Sequence, residues 1–325
     1  MNRRQFIATA VCVIGWPVVG LAQRTGSVPR IGFLGLGKSE DWTDQIEALR
    51  LGLKRFGYHE GRNLLIEFRW AAAIAELDRF AEELSKLNVD IIIAPASTQV
   101  EPALRATRTI PIVFAQHADP VGIGHVASLA HPGGNVTGVS MVLTEMAAKG
   151  LEILVEAQPG TKRLGVLWNL TTPTHARVLS VLEEAAKRKS IDLVGAPIST
   201  ADDFNRAFDL MVNEKVASVL VPSSPITNAR RRALAELGIK HRLPTMFANR
   251  ANVEAGGLMS YGPNFNSMYR YVAFFVDKIL KGEKPGDLPV EQASKYELVL
   301  NLATARLIGA DLPSVLIARA DEVIE

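Results

Sequence analysis

From Arg30 onward, short apolar runs alternate with stretches whose apolar residues recur every three or four positions. The first pattern predicts buried strands and the second predicts helices packed on them, so the chain is expected to be α/β with parallel sheets. Arg30 to Gly35 is a first strand, and Ile46, Leu49, Leu53 and Phe56 mark a helix that stops at Gly57. Leu64 to Trp70 alternates in part, which predicts a strand near a sheet edge. Leu77, Phe80, Leu84 and Leu87 mark the next helix. Val89 to Ala94 is a β-branched run suited to the sheet centre, and Pro95 to Gln99 leads from it into another helix.

The stretch Thr109 to Ser140 organises the rest. Its strand, Ile110 to Phe114, exits through Gln116, His117, Ala118 and Asp119 and breaks at Pro120, where a short helix running to His131 is expected. A second short strand spans Asn135 to Val139. Open parallel sheets hold ligands at the carboxyl ends of their strands, so this exit is read as one wall of a binding cleft. Gly133, Gly134 and Gly138 supply the backbone freedom that a crossing between lobes needs, so the same stretch is read as part of a hinge.

Past Ser140 the alternation starts again. Helix Leu143 to Glu156, strand Arg163 to Trp168, helix Thr174 to Lys189 and strand Asp192 to Pro197 follow, with Thr172 or Thr174 expected to cap the second helix. Strand Ala217 to Val221 exits into Pro222-Ser223-Ser224-Pro225, helix Asn228 to His241 comes next, and Pro244 to Phe247 is another strand. The tail adds extended segments at Gly257 to Tyr261, Pro289 to Glu291 and Tyr296 to Asn301, with a helix from Tyr269 to Leu280 between the first two. The expected fold is therefore two doubly wound parallel-sheet lobes joined by a three-crossing hinge. Residues 30–138 with 262–293 would form one lobe, and residues 139–261 with 294–325 the other.

The N-terminus changes where such a protein is expected to work. Arg3 and Arg4 precede an apolar run from Ala8 to Leu21, and Gly20-Leu21-Ala22 has the small residues of a cleavage site. Residues 1–22 thus read as an export signal of twin-arginine or general type, with 23–29 as a linker. The single cysteine, Cys12, lies inside that signal, so the mature chain offers no thiol for catalysis, disulfides or metal binding. The net charge of +2 is cancelled once Arg3 and Arg4 are removed, and no nucleic-acid partner is implied.

The segments Gly57-Tyr58-His59-Glu60-Gly61-Arg62-Asn63, Asp119-Pro120-Val121, His131 to Gly138, Gly256 to Gly262 and Leu316 to Glu325 resemble the substrate-binding proteins of ABC-type uptake systems. The branch they are similar to is that of tryptophan and tyrosine binding proteins, with a type I periplasmic-binding fold. The chain departs from the family's pattern after its second strand, where Trp70-Ala71-Ala72-Ala73-Ile74 stands in place of a glycine-containing turn. The resemblance implies a periplasmic monomer that binds an amino acid or aromatic carboxylate and delivers it to a membrane permease. A sensor that presents its closed form to a membrane receptor is the alternative.

Candidate contacts are the strand exits of both lobes. The first offers Lys38, Ser39, Ser97, Thr98, Gln99, Gln116, His117 and Asp119, and the second Asn169, Thr171, Thr172, Ser223, Ser224, Asn249 and Tyr261. Ser97 and Thr98 stand at a helix start, where free N–H groups favour a carboxylate, although capping alone would also explain them. Asp119 suits either a ligand ammonium or the turn before Pro120. His117 reads as a structural or rim residue, and Tyr261 as a ligand platform or a hinge-packing ring. Trp42 and Trp70 fit pocket or core equally, whereas Trp168 fits the core. Nucleophile-elbow, P-loop and zinc-protease motifs are absent and the six histidines are scattered, so no enzyme activity, cofactor or metal is expected.

Overall fold

A computed structural model describes residues 28–325; the expected export signal, Cys12 and most of the expected linker lie outside the described residues. The first half runs β1 (Arg30–Leu36), α1 (Thr43–Arg55), β2 (Leu65–Ala71), α2 (Leu77–Lys86), β3 (Ile91–Ile93), α3 (Ser97–Ala106), β4 (Ile112–His117) and β5 (Val136–Ser140). The second half begins α4 (Leu143–Ala157), β6 (Arg163–Asn169), α5 (His175–Arg188), β7 (Asp192–Ile198), α6 (Asp203–Asn213) and β8 (Ser218–Val221). It continues α7 (Pro225–Ala229), α8 (Arg231–Lys240), β9 (Thr245–Phe247), α9 (Arg250–Glu254) and β10 (Met259–Pro263). The tail is α10 (Phe265–Leu280), β11 (Glu291–Gln292), β12 (Tyr296–Asn301), α11 (Leu302–Ile308), α12 (Ser314–Arg319) and β13 (Glu322–Ile324).

These strands form two sheets. One is six-stranded in the order β11-β5-β4-β3-β1-β2, and the other seven-stranded in the order β13-β12-β10-β9-β8-β6-β7. All pairings in the first are parallel, and the second has one antiparallel join, β10 to β12. Reading β2-β1-β3-β4-β5 beside β7-β6-β8-β9-β10 shows the same doubly wound order twice. The partly alternating β2 is indeed an edge strand, and the all-isoleucine β3 is buried on both faces. Side chains of opposite parity separate accordingly, with Ile31, Phe33, Ile91 and Ile93 in one cluster and Leu34 and Ile92 in another.

The chain passes between the sheets three times, from β5 to β6, from β10 to β11 and from β11 to β12. Helix α10 packs along α1 on the first sheet, although β10 before it belongs to the second. Gly138 sits on β5 with φ of 148°, and a Cβ there would meet Phe114 O on β4, so glycine is required for the close strand approach at the first crossing. One apolar cluster includes Ile31 and Phe33 of the first sheet, Met141, Leu143 and Met146 after that crossing, and Leu164 and Val166 of the second.

Two expected helices differ. No helix follows Pro120: His125 N and Val126 N both donate to Pro120 O, and Gly124 with φ of 78° interrupts any helical run. The helix expected from Asn228 to His241 is two helices, because Ser224 and Pro225 start the first turn early and Arg230, at φ −107° and ψ 26°, breaks the chain before α8.

Candidate functional site

In a sheet of this order the ligand position is the switch point, where successive connections leave in opposite directions, outside the carboxyl ends of the central strands. In the first sheet that point lies between β1 and β3, and in the second between β6 and β8. The exits of β1, β3 and β4 face those of β6, β8 and β9 across a cleft with two connected chambers. The inner, of about 90 Å³, is lined by Asp41, Trp42, Gln45, Ser97, Thr98 and Gln116 on one side, and by Thr172, Ser223, Ser224, Asn228, Arg231 and Asn249 on the other. The outer, of about 560 Å³, adds Lys38, the loop after β2, Asn169, Thr171 and Ile226.

Each wall is held by local hydrogen bonds. The N-cap of α3 is Ala96, which has no side-chain acceptor, so Ser97 and Thr98 are not capping residues. Ser97 Oγ instead accepts from Ala118 N at 3.4 Å, tying the start of α3 to the exit of β4. Opposite, Ser224 caps α7 by accepting from Thr227 N, and Thr227 Oγ1 accepts from Ser224 N. Asn228 Nδ2 donates to Ser223 Oγ at 3.1 Å, and Asn249 Oδ1 caps α9 through Ala251 N.

His175, at the start of α5, joins two of these exits. Its Nδ1 accepts from Asn169 N at 2.8 Å and its Nε2 lies 2.9 Å from Ser223 O. A carbonyl only accepts, so the proton sits on Nε2 and the ring is neutral. Burial lowers its pKa from 6.5 to about 4. Neither Thr172 nor Thr174 caps α5; both hydroxyls are buried without a partner among the described residues, and that of Thr172 stands at the wall shared by the two chambers.

The structure brings together Lys38, Ser97, Thr98, Gln116, Asn169, Thr171, Thr172, Ser223, Ser224 and Asn249 around the cleft. It places Ser39, Gln99, His117, Asp119 and Tyr261 elsewhere. Ser39 opens an exposed 3-10 turn, and Gln99 points into the fold behind α3 with no exposure. His117 is fully buried, with Nε2 2.8 Å from His125 Nδ1, while His125 Nε2 lies 2.8 Å from Glu101 Oε2. Burial, and then the neighbouring His125, hold the His117 pKa well below the usual histidine value. Asp119 accepts from Gly122 N at 2.8 Å and pairs with Arg177, which satisfies the turn reading and leaves it outside both chambers. Tyr261 stacks on Tyr296 at 5.7 Å beside the crossing strands. Trp42 lines the inner chamber and donates to Leu36 O at 2.9 Å, whereas Trp70 lies stacked on Phe68.

Lys38 apart, the charged lining was missed by sequence reasoning. Asp41 lines both chambers and Arg231 the inner one, and neither makes an ion pair among the described residues. Arg231 Nη1 does donate to Asn228 O at 3.1 Å, which orients it along the wall. The available signal was the polar pentad Lys38 to Trp42 at the first strand exit, and the Arg230-Arg231-Arg232 run after a proline-started helix. Opposite charges beside hydroxyls and amides can hold a small zwitterion or a carboxylate. Among the described residues no cluster suited to a metal ion is present, and no helix is long and apolar enough to cross a membrane.

Residues 40–324 match the family model described as ABC transporter substrate binding protein. The chain is similar to a tyrosine-binding protein of Clostridioides difficile (strain R20291), 26% identical over 253 residues that cover 78% of this chain and 72% of that one. It is also similar to a solved conserved domain protein of Vibrio cholerae O1 biovar El Tor strain N16961, at 27% identity and a TM-score of 0.86, covering 91% of this chain and 100% of that one. An ABC domain from Streptococcus pneumoniae, solved in complex with L-Trp, shares the fold at a TM-score of 0.85 and 23% identity, over 92% of this chain and 100% of that one.

Proposed function

Because the chain belongs to the family of ABC transporter substrate-binding proteins and has the type I periplasmic-binding fold, we propose that it captures a small amino acid or related carboxylate between its two lobes and delivers it to a membrane permease. The observation that carries this reading is the opposition of Ser97, Thr98 and Asp41 from one sheet to Thr172, Ser223 and Arg231 from the other, all around one chamber. The start of α3 and Arg231 favour a carboxylate, and Asp41 favours an ammonium. The tyrosine-binding and L-Trp-bound relatives support an amino-acid head group.

Transport follows from where those contacts sit. A ligand that touches both lobes binds the closed arrangement better than the open one, so its binding shifts the population toward closure by its differential affinity. The three crossings act as the hinge, and the permease reads the closed shape. Export of a monomer to the periplasm, with the lobes divided as the sequence suggests, completes the proposal.

The test is a thermal-shift screen against amino acids, aromatic carboxylates and sugars. A ligand at 100 times its Kd stabilises by about 2.7 kcal/mol. Shifts confined to amino acids or carboxylates support the reading; shifts with sugars alone, or with nothing, overturn it.

A further inference from the structure

His117 Nε2 and His125 Nδ1 face each other at 2.8 Å, and the outer nitrogen of each ring is bonded as well. Asp119 N donates to His117 Nδ1 at 3.2 Å, and His125 Nε2 lies 2.8 Å from Glu101 Oε2. A backbone N–H only donates and an ionised carboxylate only accepts, which fixes every proton in the row. His117 carries its proton on Nε2 and donates it to His125 Nδ1, and His125 donates from Nε2 to Glu101. The row runs from a fully buried ring at the end of β4 to a carboxylate on α3 that is 52% exposed.

A proton added to this row changes its buried end. Taken up at His125 beside Glu101, it leaves both nitrogens of that ring as donors, so His117 must accept at Nε2 and carry its own proton on Nδ1. His117 stays neutral throughout, as its burial demands. Its Nδ1 proton then points at the Asp119 N–H, two donors oppose each other, and the bond that holds the loop leaving β4 is lost. The neighbouring elements supply no competing group among the described residues. β3 and β5, on either side of β4, carry no titratable residue. Phe114, against the His117 ring, belongs to the cluster under α2 and α3, and α10 packs on the other face of the sheet. Arg105 and, through it, Asp78 reach only Glu101, and Arg177 reaches Asp119.

We propose that His117, His125 and Glu101 form a proton relay that makes the junction between the lobes sensitive to acid, with protonation at the surface end releasing Asp119 at the buried end. Asp119 pairs with Arg177 of α5 at 3.1 Å. Just before it, Ala118 N donates to Ser97 Oγ in the cleft wall, and Ala118 O accepts from Leu143 N beyond the first crossing strand. Movement at Asp119 therefore loosens an ion pair between the lobes and one wall of the cleft together. The effect on ligand affinity rests on the binding reading above, whereas the relay itself does not.

Ring-nitrogen NMR of the isotopically labelled protein without ligand, titrated from about pH 8 to about pH 5, reads the relay directly. The His117 proton should move from Nε2 to Nδ1, and the Asp119 amide should shift with the same midpoint. His125→Gln keeps an acceptor for His117 but takes up no proton, so the Asp119 step should vanish from that range. A His117 ring that keeps its Nε2 proton, an Asp119 amide that does not shift, a step that survives His125→Gln, or global unfolding in its place overturns the relay. Calorimetry with L-tyrosine and L-tryptophan reads its effect on the cleft. Affinity should fall about tenfold between about pH 7 and about pH 5 in the wild type, and less than about twofold in His125→Gln. Equal falls in the two proteins overturn the effect on affinity. If neither amino acid binds at any pH, the binding reading loses its support and the NMR result still decides the relay.

Discussion

Arg177 Nη1 lies 3.1 Å from Asp119 Oδ2, and this ion pair ties α5, packed on the second sheet, to the loop leaving β4 of the first. The Asp119 side chain is 17% exposed and that of Arg177 58%, so the pair stands partly in solvent. Partly exposed pairs contribute at most about 1 kcal/mol and are screened by salt. Arg177→Ala should therefore weaken ligand affinity by up to about fivefold at low salt, with a smaller effect at high salt and little change in Tm. Identical affinities for variant and wild type at every ionic strength would show that the pair does not stabilise closure.

Thr172→Val removes a buried hydroxyl that no group among the described residues satisfies. Without ligand the variant should be as stable as wild type or about 1 kcal/mol more so, because an unpaired buried polar group is a cost. With ligand it should bind about tenfold more weakly. A loss of stability in the ligand-free variant would mean that the hydroxyl serves the fold rather than the guest; urea titration with and without ligand separates the two.

Asp41 lines both chambers from the 3-10 turn after β1. Asp41→Asn should cost an amino acid tenfold or more in affinity and its deaminated analogue less than threefold. Equal losses for the two would remove Asp41 as the ammonium partner. Paired titrations of L-phenylalanine and 3-phenylpropionate read this directly.

His117 and His175 have pKa values lowered by burial, the first well below 6.5 and the second to about 4. Each unfolded histidine binds a proton near pH 6.5 that its folded form refuses, so the stability is fully present above pH 6.5 and is lost as pH falls below it. Between pH 7 and pH 5 each should lower stability by about 2 kcal/mol, a window in which carboxylates titrate little. The urea midpoint should fall over that range, and His175→Gln should flatten the fall. A pH-independent midpoint from 7 to 5 would contradict buried neutral histidines.

The architecture was legible because the signals that carry it are local. The isoleucine run of β3 and the spacing of Leu77, Leu84 and Leu87 each specify an element from within a few residues, and the polar strand exits mark the cleft edge. Backbone detail was less so: the helix expected after Pro120 fails at Gly124, and the long helix expected from Asn228 breaks at Arg230. At the candidate site, Ser97, Thr98, Ser223, Ser224 and Asn249 line the cleft at the strand exits that the sequence marks as polar. Gln99, His117 and Asp119 shared those exits but turn inward or to a partner, which depends on rotamer and packing rather than on position in the chain. His175 was passed over because its two contacts, Asn169 and Ser223, are brought to it by strand order and not by sequence spacing.

The measurement that bears most directly on ligand capture between the lobes is calorimetric titration of the protein and of Ala229→Trp with the best ligand from the thermal screen. Ala229 is exposed and lines both chambers, so a tryptophan there obstructs the cleft without entering either core. One site per chain in the wild type, and loss of at least a hundredfold in affinity with an unchanged melting temperature in the variant, is the expected result. Undiminished binding by Ala229→Trp would place the ligand outside the cleft and contradict the proposed site.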